Sequence, residues 1–214
     1  MLIDLHTHTS PSSYDALQTP QDLVLEAKAL GLDAVCLTEH DSFWDPTALR
    51  TLSQDYNVLV LPGCEINTDE GHFLAFGLTE YVFGMHKLNV LKDHVTRSHG
   101  VLIAAHPYRR RFRTTDDGLS CSYARFIRQT AKASAFQHCE AIETFNGRGS
   151  TEENKFSNSL ANHLGMPCTA GSDSHQTDQL GTCATLFPNR VSDLDSLISE
   201  LKRGDFHPVQ LDQR

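Results

Sequence analysis

Asp4-Leu5-His6-Thr7-His8 at the start of the chain and Gly171-Ser172-Asp173-Ser174-His175 near its end supply a His-x-His and an Asp-x-His. Side chains at i and i+2 of a strand project from one face. Asp4, His6 and His8 are therefore expected side by side, as are Asp173 and His175. Imidazoles and carboxylates held together bind divalent cations, which outlines a metallohydrolase. A solitary His-x-His is as readily a surface loop with scattered histidines, so the weight rests on what accompanies it.

What accompanies it shares a place in the fold. His40 follows the run Ala34-Val35-Cys36-Leu37-Thr38-Glu39, Glu65 follows Val58 to Cys64, and His106 follows Val101-Leu102-Ile103-Ala104-Ala105. Each stands where a strand runs out into a loop, the end at which barrel enzymes assemble their chemistry. His72 opens an apolar strand and comes near Glu65 through the turn at Asp69-Glu70-Gly71. Asp15 lies in the turn-rich loop Ser10 to Asp15, which is expected to fold back over the mouth.

The elements that must carry these residues alternate. Leu2 to His8 reads as a strand, and Thr19-Pro20-Gln21-Asp22 opens a helix whose apolar rhythm runs from Leu23 to Leu30 and ends at Gly31. Strands are expected at Asp33–Glu39, Val58–Pro62 running into Glu65, Gly71–Gly77, Val101–Ala105, Ala141–Phe145, Cys168–Ala170 and Thr182–Phe187. Helices are expected at Pro46–Leu52, His86–Ser98, Tyr123–Ala135, Glu152–Leu164 and Val191–Arg203. About seven strand-to-helix units without an internal repeat favour a closed or nearly closed β/α barrel over an open sheet. Arg109 to Ser122 lacks apolar rhythm and carries Arg109, Arg110, Arg111, Arg113, Asp116 and Asp117, so it reads as a loop over one mouth.

The 214 residues fit one α/β domain, 1–214, with no stretch long enough to cross a membrane. The opening residues lack the basic and apolar regions of a secretory signal, so a cytoplasmic location is expected. Six cysteines are dispersed without a C-x-x-C pair, which argues against a thiolate site. A formal charge of −9 disfavours a non-specific nucleic-acid surface but is compatible with a small phosphorylated substrate. There is no G-x-S-x-G elbow and no P-loop.

Taken in order, Asp4–His8, Thr38-Glu39-His40-Asp41, Gly63-Cys64-Glu65, the His72 strand, Ala105-His106-Pro107 and Gly171–His175 resemble the polymerase and histidinol phosphatase (PHP) superfamily over nearly the whole chain. The resemblance implies a distorted seven-stranded β/α barrel binding up to three divalent metals at the C-terminal ends of its strands. One metal would take His6, His8, Glu65 and Asp173. A second would share Glu65 and add His72 and His106, and a third would take Asp15, His40 and His175. Histidine and carboxylate ligands suit Mn, Zn or Fe without selecting among them. Asp4 is left either as an acceptor behind an imidazole or as a structural hydrogen-bonding group, and Glu39 and Asp41 as supporting or proton-transfer groups.

The implied chemistry is phosphate-ester hydrolysis by water activated between two cations. Arg109, after His106-Pro107-Tyr108, and Arg148, after Asn146-Gly147, are the candidate phosphate clamps, since a guanidinium presents a planar fork to phosphate. The proton donor to the leaving group stays open among His175, His40 and a metal-bound water. Asn146 is expected at the mouth, while Asn154 and Asn158 are expected to face solvent. His86, His94, His99, His138, His163 and His207 have no motif that recruits them. The expected substrate is a small phosphomonoester, including a nucleotide or nucleoside bisphosphate, with no obligate protein partner. The alternatives are phosphodiester cleavage in short oligonucleotides, histidinol phosphate hydrolysis, amide or cyclic-ester hydrolysis with the same metals, and a non-catalytic metal-binding domain.

Overall fold

The protein is described here by a computed structural model covering residues 1–107, 109 and 120–211. The elements run β1 (Leu2–Thr7), α1 (Pro20–Leu30), β2 (Ala34–Leu37), α2 (Pro46–Tyr56), β3 (Leu59–Pro62), β4 (Cys64–Thr68), β5 (Gly71–Phe76) and α3 (Leu88–Arg97). They continue with β6 (Val101–Ala104), α4 (Ser120–Thr130), β7 (Ala141–Asn146), α5 (Thr151–Leu164), β8 (Cys168–Gly171), β9 (Cys183–Leu186), α6 (Leu194–Arg203) and β10 (His207–Gln210). The boundaries follow local chemistry. At α1, Thr19 Oγ1 accepts the Asp22 N–H at 3.1 Å, the Asp22 carboxylate accepts the Thr19 N–H at 3.2 Å, and Gly31 closes the helix at φ +75°.

Ten strands form two mixed five-stranded sheets, β10-β9-β1-β2-β3 and β4-β5-β6-β7-β8. β1, β2 and β3 run parallel, as do β6, β7 and β8, while β4-β5-β6 and β1-β9-β10 are antiparallel. The expected ring of seven strands is thus replaced, among the described residues, by two sheets with no continuous ladder closing them. Isolated bridges span the seams instead, Thr7 with Ser174 and His40 with Glu65. His8 N–H donates to Ser174 O at 2.9 Å and Asp173 N–H to His6 O at 2.8 Å on one seam. On the other, Glu65 N–H reaches Glu39 O at 3.0 Å. Both seams join where the candidate ligands stand.

A common core unites the sheets: Ile3, Leu5, Cys36 and Leu61 from one meet Leu74, Phe76 and Ile103 from the other, and Leu197 and Leu201 of α6 close over them. The run from Val58 to Glu65 breaks at Gly63, where a Cβ would lie 2.7 Å from the Phe76 ring and 2.8 Å from Thr38 Cγ2. That close approach separates β3 from β4 and turns Glu65 inward. α2 extends four residues beyond the expected Leu52, to Tyr56. Ser120–Ser122, expected as loop, are helical in α4, and Arg110, Arg111, Arg113, Asp116 and Asp117 lie outside the described residues. Among the described residues no helix is long and apolar enough to cross a membrane.

Candidate metal centre

Glu65, fully buried at the start of β4, directs its two carboxylate oxygens to two groups of imidazoles. Oε2 lies 3.3 Å from His6 Nε2, 3.2 Å from His8 Nε2 and 3.1 Å from His40 Nδ1. Oε1 lies 2.7 Å from His72 Nδ1 and 2.9 Å from His106 Nε2. The two histidine Nε2 atoms of β1 and the loop after it are 3.1 Å apart, and Asp173 Oδ1 stands 3.7 and 3.5 Å from them. Atoms bound about 2.1 Å from one cation at tetrahedral angles lie about 3.4 Å from each other. His6, His8 and Glu65 are spaced in that way, and Asp173 Oδ1 stands at a similar distance from both imidazoles.

The donor chemistry agrees. His6 Nδ1 donates to Glu143 Oε1 at 2.9 Å, so its Nε2 is left as a lone pair. His8 Nδ1 is likewise engaged, 3.2 Å from Ser13 Oγ. The His6 lone pair, His8 Nε2 and two carboxylate oxygens converge, and a proton or a cation must lie among them. Without a cation the proton is expected on His6: burial alone would lower this ring, but the charges of Glu143, Asp173 and Glu65 outweigh it and hold it well above its usual range. Burial would raise Glu65, yet His6, His106 and His40 hold it well below the ordinary carboxylate value.

His6 titrates higher in the folded than in the unfolded chain, so its contribution to metal-free stability is complete below the unfolded value and is lost as pH rises through the folded one. A cation must displace that proton. Metal uptake at neutral pH is therefore expected to release protons and to weaken as pH falls. Calorimetric titration in buffers of different ionisation enthalpy reads this directly, and an observed heat independent of the buffer would contradict it.

A third group comprises His8, His40 and His175. Asp15, expected there, is partly exposed beside it, 3.2 Å from His175 Nε2 and 3.7 Å from His40 Nε2. His175 Nδ1 donates to the Asp173 carbonyl oxygen at 2.9 Å, and burial, then the charge of His8, lowers this ring. Both arginines reach the centre. Arg109 Nη1 pairs with Asp173 Oδ2, and Arg148 Nη1 lies 2.8 Å from His175 Nδ1, 3.1 Å from its Nε2 and 3.8 Å from Asp173 Oδ1. They border a cavity of about 570 Å³ walled also by His40, His72, His106 and Phe136.

Strain gathers at the same place. His106 (φ +27°) and Asp173 (φ +55°) occupy left-handed backbone that non-glycine residues seldom adopt, a feature of functional sites. At Gly171 a Cβ would lie 2.4 Å from His6 Cβ and 2.9 Å from Glu143 Oε1. Gly171→Ala is therefore expected to displace His6, destabilise the fold by about 1–3 kcal/mol through overpacking and lower metal content; a variant with unchanged denaturation midpoint and metal stoichiometry would refute this.

Several supporting roles differ from those expected. Asp4 orients no imidazole: Oδ1 accepts the N–H groups of His6 at 3.1 Å and Ser172 at 3.0 Å, and burial pushes its carboxyl up to about 7. It braces backbone across the β1–β8 seam. Asp41 binds Asn67, through its N–H at 3.0 Å and its Nδ2 at 2.8 Å. Asn146 is buried rather than open at the mouth, with Nδ2 3.0 Å from Glu143 Oε2 and 3.2 Å from Asp173 Oδ2. Asn154 turns back to hold it, accepting the Asn146 N–H at 3.0 Å, whereas Asn158 is exposed. None of the other six histidines joins the clusters found among the described residues.

Glu143 is the principal residue missed. Its signal was a lone carboxylate inside the apolar strand Ala141-Ile142-Glu143-Thr144-Phe145, since a charge is buried only where partners await it. Ser13 had no comparable signal, nor had Gln18, whose Nε2 donates to His8 O at 2.8 Å and Ser174 O at 3.1 Å.

Fold and site together define an α/β protein with a carboxylate placed between two clusters of histidines. The chain belongs to the PHP domain family, which matches residues 4–144, and a PHP-associated family matches 151–206. Similar solved structures include PsfC from Pseudomonas syringae, with TM-score 0.65, 20% identity and coverage of 99% of this chain and 92% of that one. A two-domain protein from Bacteroides vulgatus, described as containing a predicted PHP-like metal-dependent phosphoesterase, gives TM-score 0.71 and 20% identity over 99% of this chain and 65% of that one. These likenesses show the fold. Among curated relatives, an uncharacterized protein of Methanocaldococcus jannaschii is 27% identical over 117 residues, 50% of this chain and 68% of that one. An error-prone DNA polymerase of Nocardia farcinica is 33% identical over 64 residues, 30% of this chain and only 6% of the polymerase.

Proposed function

We propose that the protein is a metal-dependent phosphoesterase that hydrolyses a small phosphomonoester, with residues 1–214 acting as one unit. The observation that carries this reading is Glu65, whose Oε2 faces His6 and His8 while its Oε1 faces His72 and His106. A carboxylate so placed suits two cations about 3.5–4 Å apart. His6, His8, Glu65 and Asp173 would hold one, and Glu65, His72 and His106 the other. His40 and His175, with Asp15 at their edge, would hold a third. Mn, Zn or Fe fit this histidine and carboxylate set.

When bound, such ions acidify water and neutralise charge gathering on the phosphoryl group. The chain supplies orientation. Arg109 and Arg148 flank Asp173 at the cavity and would turn their remaining N–H groups to phosphate oxygens. Glu143 and Asn146 hold the His6 ring and the Asp173 carboxylate in place. His175 spends its Nδ1–H on the Asp173 carbonyl, so its Nε2 suits a ligand better than a proton donor in this tautomer. His40, partly exposed at the cavity, would serve as donor to the leaving oxygen only where the third cation is not bound to it.

The test is inorganic phosphate release from sugar phosphates, nucleotides, nucleoside bisphosphates, histidinol phosphate and short oligonucleotides, with metal-reconstituted protein and His106→Ala beside it. Turnover of a monoester that disappears in the variant is expected. Folded, metal-loaded protein that releases no phosphate from any of them would sink the reading.

A further inference from the structure

We propose that Glu39 is a positioning residue that fixes the tautomer of His8 through the hydroxyl of Ser13. The inference rests on the metal-centre reading above for its consequence, while the hydrogen-bond polarity it invokes stands on geometry alone. Glu39 is completely buried, and its carboxylate meets only donors. Oε1 accepts the Trp44 Nε1–H at 2.9 Å, the Thr9 N–H at 3.1 Å and the Thr9 hydroxyl. Oε2 accepts the Thr9 N–H at 2.9 Å and the Ser13 hydroxyl.

An ionised carboxylate can only accept, so the single hydroxyl proton of Ser13 is committed to Glu39. The Ser13 oxygen then faces His8 Nδ1, at 3.2 Å, with a lone pair, and also receives the His40 N–H at 3.4 Å. His8 must therefore carry its proton on Nδ1 and leave Nε2 bare, 3.2 Å from Glu65 Oε2 and 3.1 Å from His6 Nε2. A carboxylate acting on a ligating imidazole is a recognised device. His6 receives it directly from Glu143, and His8 receives it across one hydroxyl.

Glutamine at position 39 would reverse the relay. Trp44 Nε1 and the Thr9 hydroxyl draw the amide oxygen to the Oε1 place, which leaves the NH₂ facing Ser13. Ser13 would then accept from position 39 and turn its own proton to His8 Nδ1. The neutral imidazole would carry its proton on Nε2, where a cation has to bind.

The experiment is ¹⁵N NMR of the histidine rings in metal-free wild type, Glu39→Gln and Ser13→Ala, at a pH where His8 is neutral, paired with zinc affinity by chelator competition. Wild type is expected to show Nδ1–H at His8, and Glu39→Gln to show Nε2–H with affinity lower by about 10–100-fold. Ser13→Ala keeps the Glu39 bonds to Thr9 and Trp44 and is expected to mix the two tautomers; it serves alone if Glu39→Gln does not fold. An unchanged Nδ1–H signal at His8 in either folded variant would overturn the proposal. Absence of phosphatase activity in the wild type would count against the proposed function and leave this readout intact.

Discussion

Glu65→Gln is expected to abolish metal-dependent turnover while the chain remains folded. Both oxygens of this carboxylate are committed, one toward His6 and His8, the other toward His72 and His106. Glutamine keeps the volume but has one acceptor, so an NH₂ must face one of the two histidine groups. A donor pointed into a set of lone pairs excludes a cation from that half and removes the negative charge that both halves share. Losing the joint action of two ions removes several kcal/mol of transition-state stabilisation, and about 4 kcal/mol corresponds to roughly a thousandfold in rate. Metal content by elemental analysis and turnover on the best phosphomonoester check this together, with circular dichroism as the test of folding. A variant that retains two ions and near-normal turnover would show that Glu65 is not the shared ligand.

How far the sequence disclosed this site depends on whether a residue's neighbours are local or distant. The placement of His6 and His8 was legible because it follows from one strand's alternation, and α1 was legible because Thr19, Asp22 and Gly31 stop and start it by contacts within a few residues. His40, Glu65, His106 and Asp173 were legible as a class, since each ends or follows an apolar run. The pairing of sheets was not, because β10 and the antiparallel pairing of β1 with β9 are set by partners far along the chain. Nor was the break at Gly63, which answers to Phe76 and Thr38 and not to anything adjacent. Asp4 shows the same limit: a carboxylate two residues from His6 was an equal candidate for imidazole or backbone, and Ser172 at the far end of the chain decides for backbone. The candidate ligands are recognisable by residue type, and the groups that hold them only by contact.

Glu143 carries the largest expected effect among those holding groups. Its Oε1 accepts His6 Nδ1–H at 2.9 Å, and its Oε2 accepts the His106 N–H at 2.8 Å and Asn146 Nδ2–H at 3.0 Å. One buried side chain thus holds a candidate ligand of each of the first two proposed cations and the asparagine that reaches Asp173. The bond to the His106 N–H matters further, because His106 sits at φ +27° and strained backbone persists only where its surroundings fix it. Glu143→Ala leaves three donors without their acceptor, each costing about 1–3 kcal/mol when buried and unsatisfied. A loss of stability on the order of 3 kcal/mol or more is therefore expected, together with metal affinity lower by about 10–100-fold. Urea denaturation of the metal-free protein reads the first quantity and chelator competition the second. Because each of these bonds joins one protein group to another, the stability loss should persist after the metal is stripped; a deficit confined to the metal-loaded protein would show that Glu143 acts only through the cations and not as a brace of the fold around them.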